Sequence, residues 1–166
     1  MFEIGDKVVH PYHGAGMVVD IEEKKFLEEC GRYYIIDLIA CNGTVMVPTD
    51  KVQKIGLRPV SGRRAISRAM HVLASPPDML SSDHRERQAH AEENLKTGDI
   101  IKVTEVVRNL AWRNQQKGLT MADNKLYQRA QAFLAGELAL ARGIGLQEAM
   151  KQLETAVRYS NGDGQR

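Results

Sequence analysis

Met1-Phe2-Glu3-Ile4-Gly5-Asp6-Lys7-Val8-Val9-His10-Pro11-Tyr12-His13-Gly14-Ala15-Gly16 is the stretch that decides the fold. Gly5-Asp6 marks a turn and Lys7 to His10 a short strand. Gly14 and Gly16 mark a bend where the backbone needs conformational freedom. Gly16 to Glu23 reads as a second strand, with Val18, Asp20 and Glu22 on one face and Met17, Val19 and Ile21 on the other. Arg32 to Ile39, dense in Tyr and Ile, predicts a third strand buried on much of both faces. Asn42-Gly43 is a type I′ hairpin signal, leading into a fourth strand, Thr44 to Val47, which Pro48 ends. Asp50 to Ile55 is expected to form a last turn or short strand. Short strands at this spacing, joined by tight turns, predict a small SH3/Tudor-like β-barrel over residues 1–57.

Past residue 57 the apolar period changes to that of helices. Ser61 is placed to cap a helix running to about Leu73, with Ile66, Met70 and Leu73 on one face, and Ser75-Pro76-Pro77 stops it. Ser82 or Asp83 caps a polar helix to about Lys96. Asp99 starts a third, with a stripe of Ile100, Val103, Val107 and Leu110, ended by Lys117-Gly118. Thr120 with Asp123 reads as a capping box in which Asp replaces the usual Glu. The helix that follows buries Leu126, Ala130, Phe133, Leu134 and Leu138, with Ala141 at the edge of the stripe, and closes at Gly143-Ile144-Gly145. A last helix spans about Leu146 to Arg158, with Leu146, Met150, Leu153 and Val157 on its apolar face. The expected architecture is α+β: a barrel at 1–57, an all-α domain of about five helices at 58–160, and a disordered tail at 161–166.

The chain has 166 residues, 43% of them hydrophobic and 27% charged, and only 5% aromatic, so its cores must be aliphatic. No apolar run is long enough to span a membrane and no signal-peptide core is present, so no membrane partner and a cytoplasmic location are expected. Cys30 and Cys41 are then expected to be reduced thiols, too few for a zinc site. Neither metal nor cofactor is expected. His10 and His13 lack a nearby nucleophile or paired carboxylate and read as turn residues around Pro11 and Gly14, so no catalytic residue is assigned and an enzyme is not expected. The net charge of +2 hides an asymmetry: residues 1–57 hold six Lys/Arg against nine Asp/Glu, and residues 58–160 hold sixteen against eleven. Unlike charges on the two halves point to unlike partners, with nucleic acid a candidate for the basic half.

Gly5-Asp6, Val8-Val9, Pro11, His13-Gly14-Ala15-Gly16, Ile21, Tyr33-Tyr34, Val47-Pro48 and Gly56-Leu57-Arg58 resemble the N-terminal module of the CarD/CdnL family of bacterial transcription regulators, a module shared with the transcription-repair coupling factor. Thr97-Gly98-Asp99, Glu105-Val106-Val107-Arg108-Asn109-Leu110, Lys117-Gly118-Leu119 and Ala135-Gly136-Glu137-Leu138-Ala139-Leu140-Ala141 resemble the helical domain of the same regulators. The resemblance covers about residues 1–141. It implies a regulator whose barrel docks on the β subunit of RNA polymerase and whose helical domain contacts promoter DNA at the upstream edge of the bubble, largely independently of sequence, tuning open-complex stability. Lys24, Val45, Met46, Val47 and Pro48 fall in the family's polymerase-contact region, where an exposed strand edge can pair with a partner strand. Lys24 keeps the basic charge usual there, while Met46 stands where some members have Arg.

The departure lies at the family's minor-groove wedge. Counting back from Thr97-Gly98-Asp99, the wedge tryptophan falls at position 84, which is His84 in this chain. Glu86 and Gln88 stand where Arg and Tyr are common. Unstacking a base step needs a large flat apolar surface, and histidine is smaller and more polar. The only tryptophan, Trp112, is expected to pack at a boundary between helices. Arg85, Arg87, Arg108, Arg113, Lys117 and Lys125 form the candidate set of phosphate contacts, with His84 beside them. The alternative expectation is a divergent paralogue that keeps the polymerase contact without the wedge and acts as a competitor or a promoter-specific modulator.

Overall fold

The structure is a computed structural model that describes residues 1–162. Five antiparallel strands, β1 (Lys7–His10), β2 (Gly14–Phe26), β3 (Glu29–Leu38), β4 (Thr44–Pro48) and β5 (Arg58–Pro59), lie in the order β4-β3-β2-β1-β5. A 3-10 turn (Thr49–Lys51) and the one-turn α1 (Val52–Ile55) carry the chain from β4 to β5. The curled sheet encloses a small core of Val8, Val18, Tyr34, Ile36, Val47 and Leu57. Phe2 closes one end: its N–H donates to Tyr34 Oη (3.0 Å) and its ring meets Tyr34 edge-on.

Two local expectations are corrected. The alternation expected along the second strand fails at Val19, where a β-bulge shifts the register between Val18 and Asp20. Val18 and Ile21 therefore both serve the barrel core, while Val19 is exposed. The second correction concerns Asn42-Gly43, which forms no type I′ turn, since neither residue has positive φ. Residues 39–43 make a wider loop in which Leu38 N–H donates to Gly43 O. The reason is tertiary. Ile39 N–H donates to Ala15 O, and the Ile39 side chain packs into the helical core instead of turning back at once. At the barrel's other end β2 and β3 continue together as an arm, closed by Leu27-Glu28.

Five long helices follow: α2 (Arg63–Ala74), α3 (His84–Lys96), α4 (Ile100–Gln116), α5 (Met121–Arg142) and α6 (Leu146–Gly162). Asp83, Asp99 and the reciprocal Thr120–Asp123 box cap α3, α4 and α5 as the sequence predicts. Ser61 caps nothing. Gly62 is the N-cap of α2, and Ser61 N–H donates instead to Glu137 Oε1 (2.9 Å). Ala141 is exposed on α5, with Leu140 buried beside it. Of the expected tail, 161 and 162 belong to α6, and 163–166 lie outside the described residues.

The larger core runs through α2 to α6 and takes in Val9 and Ala15 from the sheet, so the outer face of β1 and β2 rests on α5. Two close approaches need glycine. A Cβ on Gly16 would lie 2.5 Å from Asp37 O, and a Cβ on Gly98, itself at φ 65°, would lie 3.0 Å from Pro11 Cα. Between the two cores is Glu137 of α5, wholly buried. It accepts two hydrogen bonds from Arg58 (Nη1–Oε1 2.7 Å, Nη2–Oε2 2.9 Å) and one from Ser61 N–H, while Arg58 also donates to Gly98 O. Lys7 Nζ, on β1, donates to Leu140 O (3.1 Å).

Removing Arg58 would leave a buried carboxylate without its cation. Arg58→Ala is expected to destabilise the protein by about 2–3 kcal/mol, below the usual cost of an unpaired buried charge because the Arg58 side chain is itself 29% exposed. Arg58→Lys should restore little, because an ammonium cannot form the paired fork. Urea unfolding of the three proteins measures both effects.

Candidate functional surfaces

The first surface is the free edge of the sheet. β4 pairs with β3 alone, so its outer row of backbone N–H and C=O groups faces away from the sheet. Lys24 lies near it: its ammonium stands 3.8 Å from Met46 Sδ and 3.2 Å from a Glu22 carboxylate oxygen. Two residues 22 positions apart are thus brought together beside the edge. Val45, Met46 and Pro48 are half-buried, and Pro48, with no N–H to offer, ends the edge. Val47 is corrected. It is 1% exposed and its side chain fills the barrel core with Val8 and Tyr34, so the side chain offers no contact and only the main chain belongs to the edge. Where β4 gives way to the 3-10 turn, a concavity of about 440 Å³ opens, floored by Phe2, Ile21 and Tyr34 and edged by Arg32 and Asp50.

The second surface gathers around the start of α3. His84 is the first residue of that helix and is exposed, set in place by Asp83, whose carboxylate accepts Arg85 N–H (2.8 Å). Arg85 is exposed beside it. Lys117, at the end of α4, and Lys125, near the start of α5, are exposed as well. Arg113 is half-buried, with no hydrogen-bond partner at Nε among the described residues. Trp112, expected at a boundary between helices, is 38% exposed on α4.

Arg87 and Arg108 are corrected, because neither can reach a phosphate. Arg87 is 3% exposed: Nε and Nη2 donate to the two Asp123 carboxylate oxygens (3.2 and 2.8 Å) and Nη1 to Ser81 O. Arg108 is 8% exposed and donates to Asp78 Oδ2, Ser75 Oγ and Val72 O. Asp78 N–H and Arg108 Nε share Asn109 Oδ1. Arg108 therefore fastens the Pro76-Pro77-Asp78 segment to the last turn of α2, and so fixes the path that leads to His84. A sequence signal for Arg87 exists: it continues the α3 stripe of Ala91 and Leu95 at four-residue intervals. Sequence reasoning also missed Arg129, which lies over the Tyr12 ring (5.5 Å) and pairs with Glu92.

His10 takes the turn role. Its Nδ1 accepts the N–H groups of Tyr12 and His13 (3.1 and 3.2 Å), and its pKa is pushed below the ordinary value by burial and then by the neighbouring His13. Cys30 and Cys41 are exposed free thiols. Among the described residues no group of His, Cys, Asp and Glu is placed to hold a metal ion. No helix there is long and apolar enough to cross a membrane.

Residues 2–61 match the family model for the CarD-like/TRCF RID domain, and residues 68–154 match that for the CarD C-terminal domain. The chain is 38% identical over 144 residues, 87% of its length, to the protein named "Putative transcription factor YdeB" of Bacillus subtilis (strain 168), and covers 94% of that protein.

Asp123 offers a pH test of the buried pair. Burial raises its pKa, but the hydrogen bonds from Arg87 and Thr120 and the Arg87 charge outweigh this and hold it below the ordinary 3.8. A depressed carboxylate contributes stability that is complete above its unfolded value and is lost as pH falls through the folded one. Asp123→Asn is expected to be less stable at neutral pH by roughly 3 kcal/mol, as for other broken buried pairs. The gap from wild type should narrow as the pH drops below about 4, a window set by the depressed carboxylate. Urea midpoints at neutral and acid pH measure it.

Proposed function

Because the chain belongs to the CarD family of transcription regulators, with both of the family's domains present, we propose that it docks on the β subunit of RNA polymerase through the β4 edge and meets promoter DNA through the start of α3. The observation that carries this reading is the pairing of an unshielded strand edge with Lys24 and Met46 beside it. A partner strand adding to β4 gains directional main-chain hydrogen bonds. Lys24 selects an acidic neighbour, and the Met46 thioether gives an adaptable apolar contact. Val45 and Pro48 border the contact, while Val47 supports it from inside the barrel. On the DNA side His84, Arg85, Arg113, Lys117 and Lys125 hold phosphates and the groove edge without reading bases.

A specific observation favours the second reading, a regulator that keeps the polymerase contact and lacks a wedge. Beside His84, Arg87 is spent on Asp123, Glu86 is held by Ser81, and Gln88 Nε2 donates to Thr120. Among the described residues, Arg85 is the one cation left there without an ion pair or hydrogen bond from its side chain. Such a protein would compete with a wedge-bearing relative or serve particular promoters.

Capture of the full chain by RNA polymerase is expected to weaken about tenfold or more in Met46→Glu and in Lys24→Glu, since a like charge at an electrostatically matched contact is costly. Unchanged capture by both variants rules out this edge. Open-complex lifetime separates the two readings. Loss of the wild-type effect in His84→Ala means that the wedge position acts; an effect present only in His84→Trp means that the natural protein has no wedge.

A further inference from the structure

The internal ion pairs change where the free positive charge of the helical half lies. Arg58, Arg87 and Arg108 are occupied by Glu137, Asp123 and Asp78. The densest remaining charge is on α2, an element that the phosphate-contact candidates leave out. Its sequence, Arg63-Arg64-Ala65-Ile66-Ser67-Arg68-Ala69-Met70-His71-Val72-Leu73-Ala74, holds three arginines and a histidine and no acid. By contrast α3 sets three cations (Arg85, Arg87, Lys96) against three carboxylates (Glu86, Glu92, Glu93). Ile66, Ala69 and Leu73 of α2 are buried in the main core, and Arg63, Arg64, Ser67, Arg68 and His71 are exposed together on the opposite face. Among the described residues none of the three arginines makes an ion pair or a hydrogen bond. Arg64 and Arg68 are one turn apart, where like charges repel and weaken an isolated helix. Such a face gains only when a polyanion covers it.

We propose that this face of α2 is a second DNA contact, binding backbone phosphates of the duplex beside the segment that α3 approaches. The inference rests on the DNA-binding reading above and extends its footprint. Charge complementarity identifies the occupant. The exposed face offers cations and a serine but no aromatic or large aliphatic side chain, so it lacks the apolar anchors that hold a protein partner. A phosphate backbone needs none. From Arg63 to His71 the row runs about 12 Å along the helix, long enough to meet successive phosphates of one strand. The platform is rigid: α2 is packed into the main core, and its last turn is held by Arg108 through Val72 O and Ser75 Oγ to the segment leading to His84. The face and the start of α3 are thus fixed in one frame.

The test is fluorescence anisotropy of the full chain with a labelled DNA duplex over a salt series, for wild type, Arg64→Gln/Arg68→Gln, Arg64→Lys/Arg68→Lys and Lys117→Gln/Lys125→Gln. The proposal expects the Arg64→Gln/Arg68→Gln protein to bind severalfold more weakly whatever the sequence, with the slope of log affinity against log salt smaller by about two. The lysine pair should keep both, since phosphate binding here asks for charge. Matching melting curves show that the substitutions leave the fold intact. Unchanged affinity and slope in Arg64→Gln/Arg68→Gln, alongside weakened binding in Lys117→Gln/Lys125→Gln, overturn the α2 contact and leave the DNA-binding reading standing. Absence of salt-dependent DNA binding by wild type overturns both. Loss of RNA polymerase capture with DNA binding intact assigns the face to an acidic protein surface and overturns the proposal.

Discussion

A carboxylate with no access to water holds this molecule together. Glu137 lies at the junction of the two cores, and its charge is tolerable only because Arg58 and the Ser61 N–H supply three hydrogen bonds to it. The three groups come from different places. Arg58 belongs to the last strand, Ser61 to the turn before α2, and Glu137 to the middle of α5. Arg58 also reaches Gly98 O, between α3 and α4. One ionic contact thus sets the barrel against every segment that frames the helical surface. Together with the Val9 and Ala15 face packed in the helical core and Lys7 on Leu140 O, it sets how the β4 edge and the start of α3 are placed.

Local signals carried most of the fold. Turn residues and β-branched and aromatic runs gave the strands, and the caps at Asp83, Asp99 and Thr120 gave three helix starts. Signals failed where the controlling partner was remote. Val19 bulges within a run whose alternation looks regular, and residues 39–43 follow the pull of Ala15 O in place of the Asn-Gly turn preference. Ser61 has the right chemistry for a cap, but its Oγ accepts from Arg58 and its N–H donates to Glu137, 76 positions away. For the surfaces the lesson is sharper. Arg87 and Arg108 look like surface cations in sequence, and only the fold brings Asp123 and Asp78 to them from 36 and 30 positions away. Charge counts show how much positive charge a domain has, not how much of it faces outward.

That distinction bears on how the two ends work. The barrel edge offers main-chain groups in a fixed row, a directional contact with a defined register. The helical half offers dispersed guanidinium and ammonium groups, suited to phosphates in any sequence and weakened by salt. On the proposed function, the first would set which assembly the protein joins, and the second how long it holds the DNA that assembly presents. Family membership accounts for the pairing of these two modules, and the residues of this chain set the balance between them.

The same buried pair also orders events in time. Arg58 and Glu137 are 79 residues apart in the chain. At ribosomal speeds of roughly 5–20 residues per second, the strand that carries the guanidinium emerges several seconds before its carboxylate exists. Through that interval the barrel is a nascent domain with an unneutralised arginine and an apolar β1–β2 face still open to water. It reaches its final form when α5 leaves the ribosome and closes over it. Translation, as well as sequence, therefore decides when this molecule becomes one body.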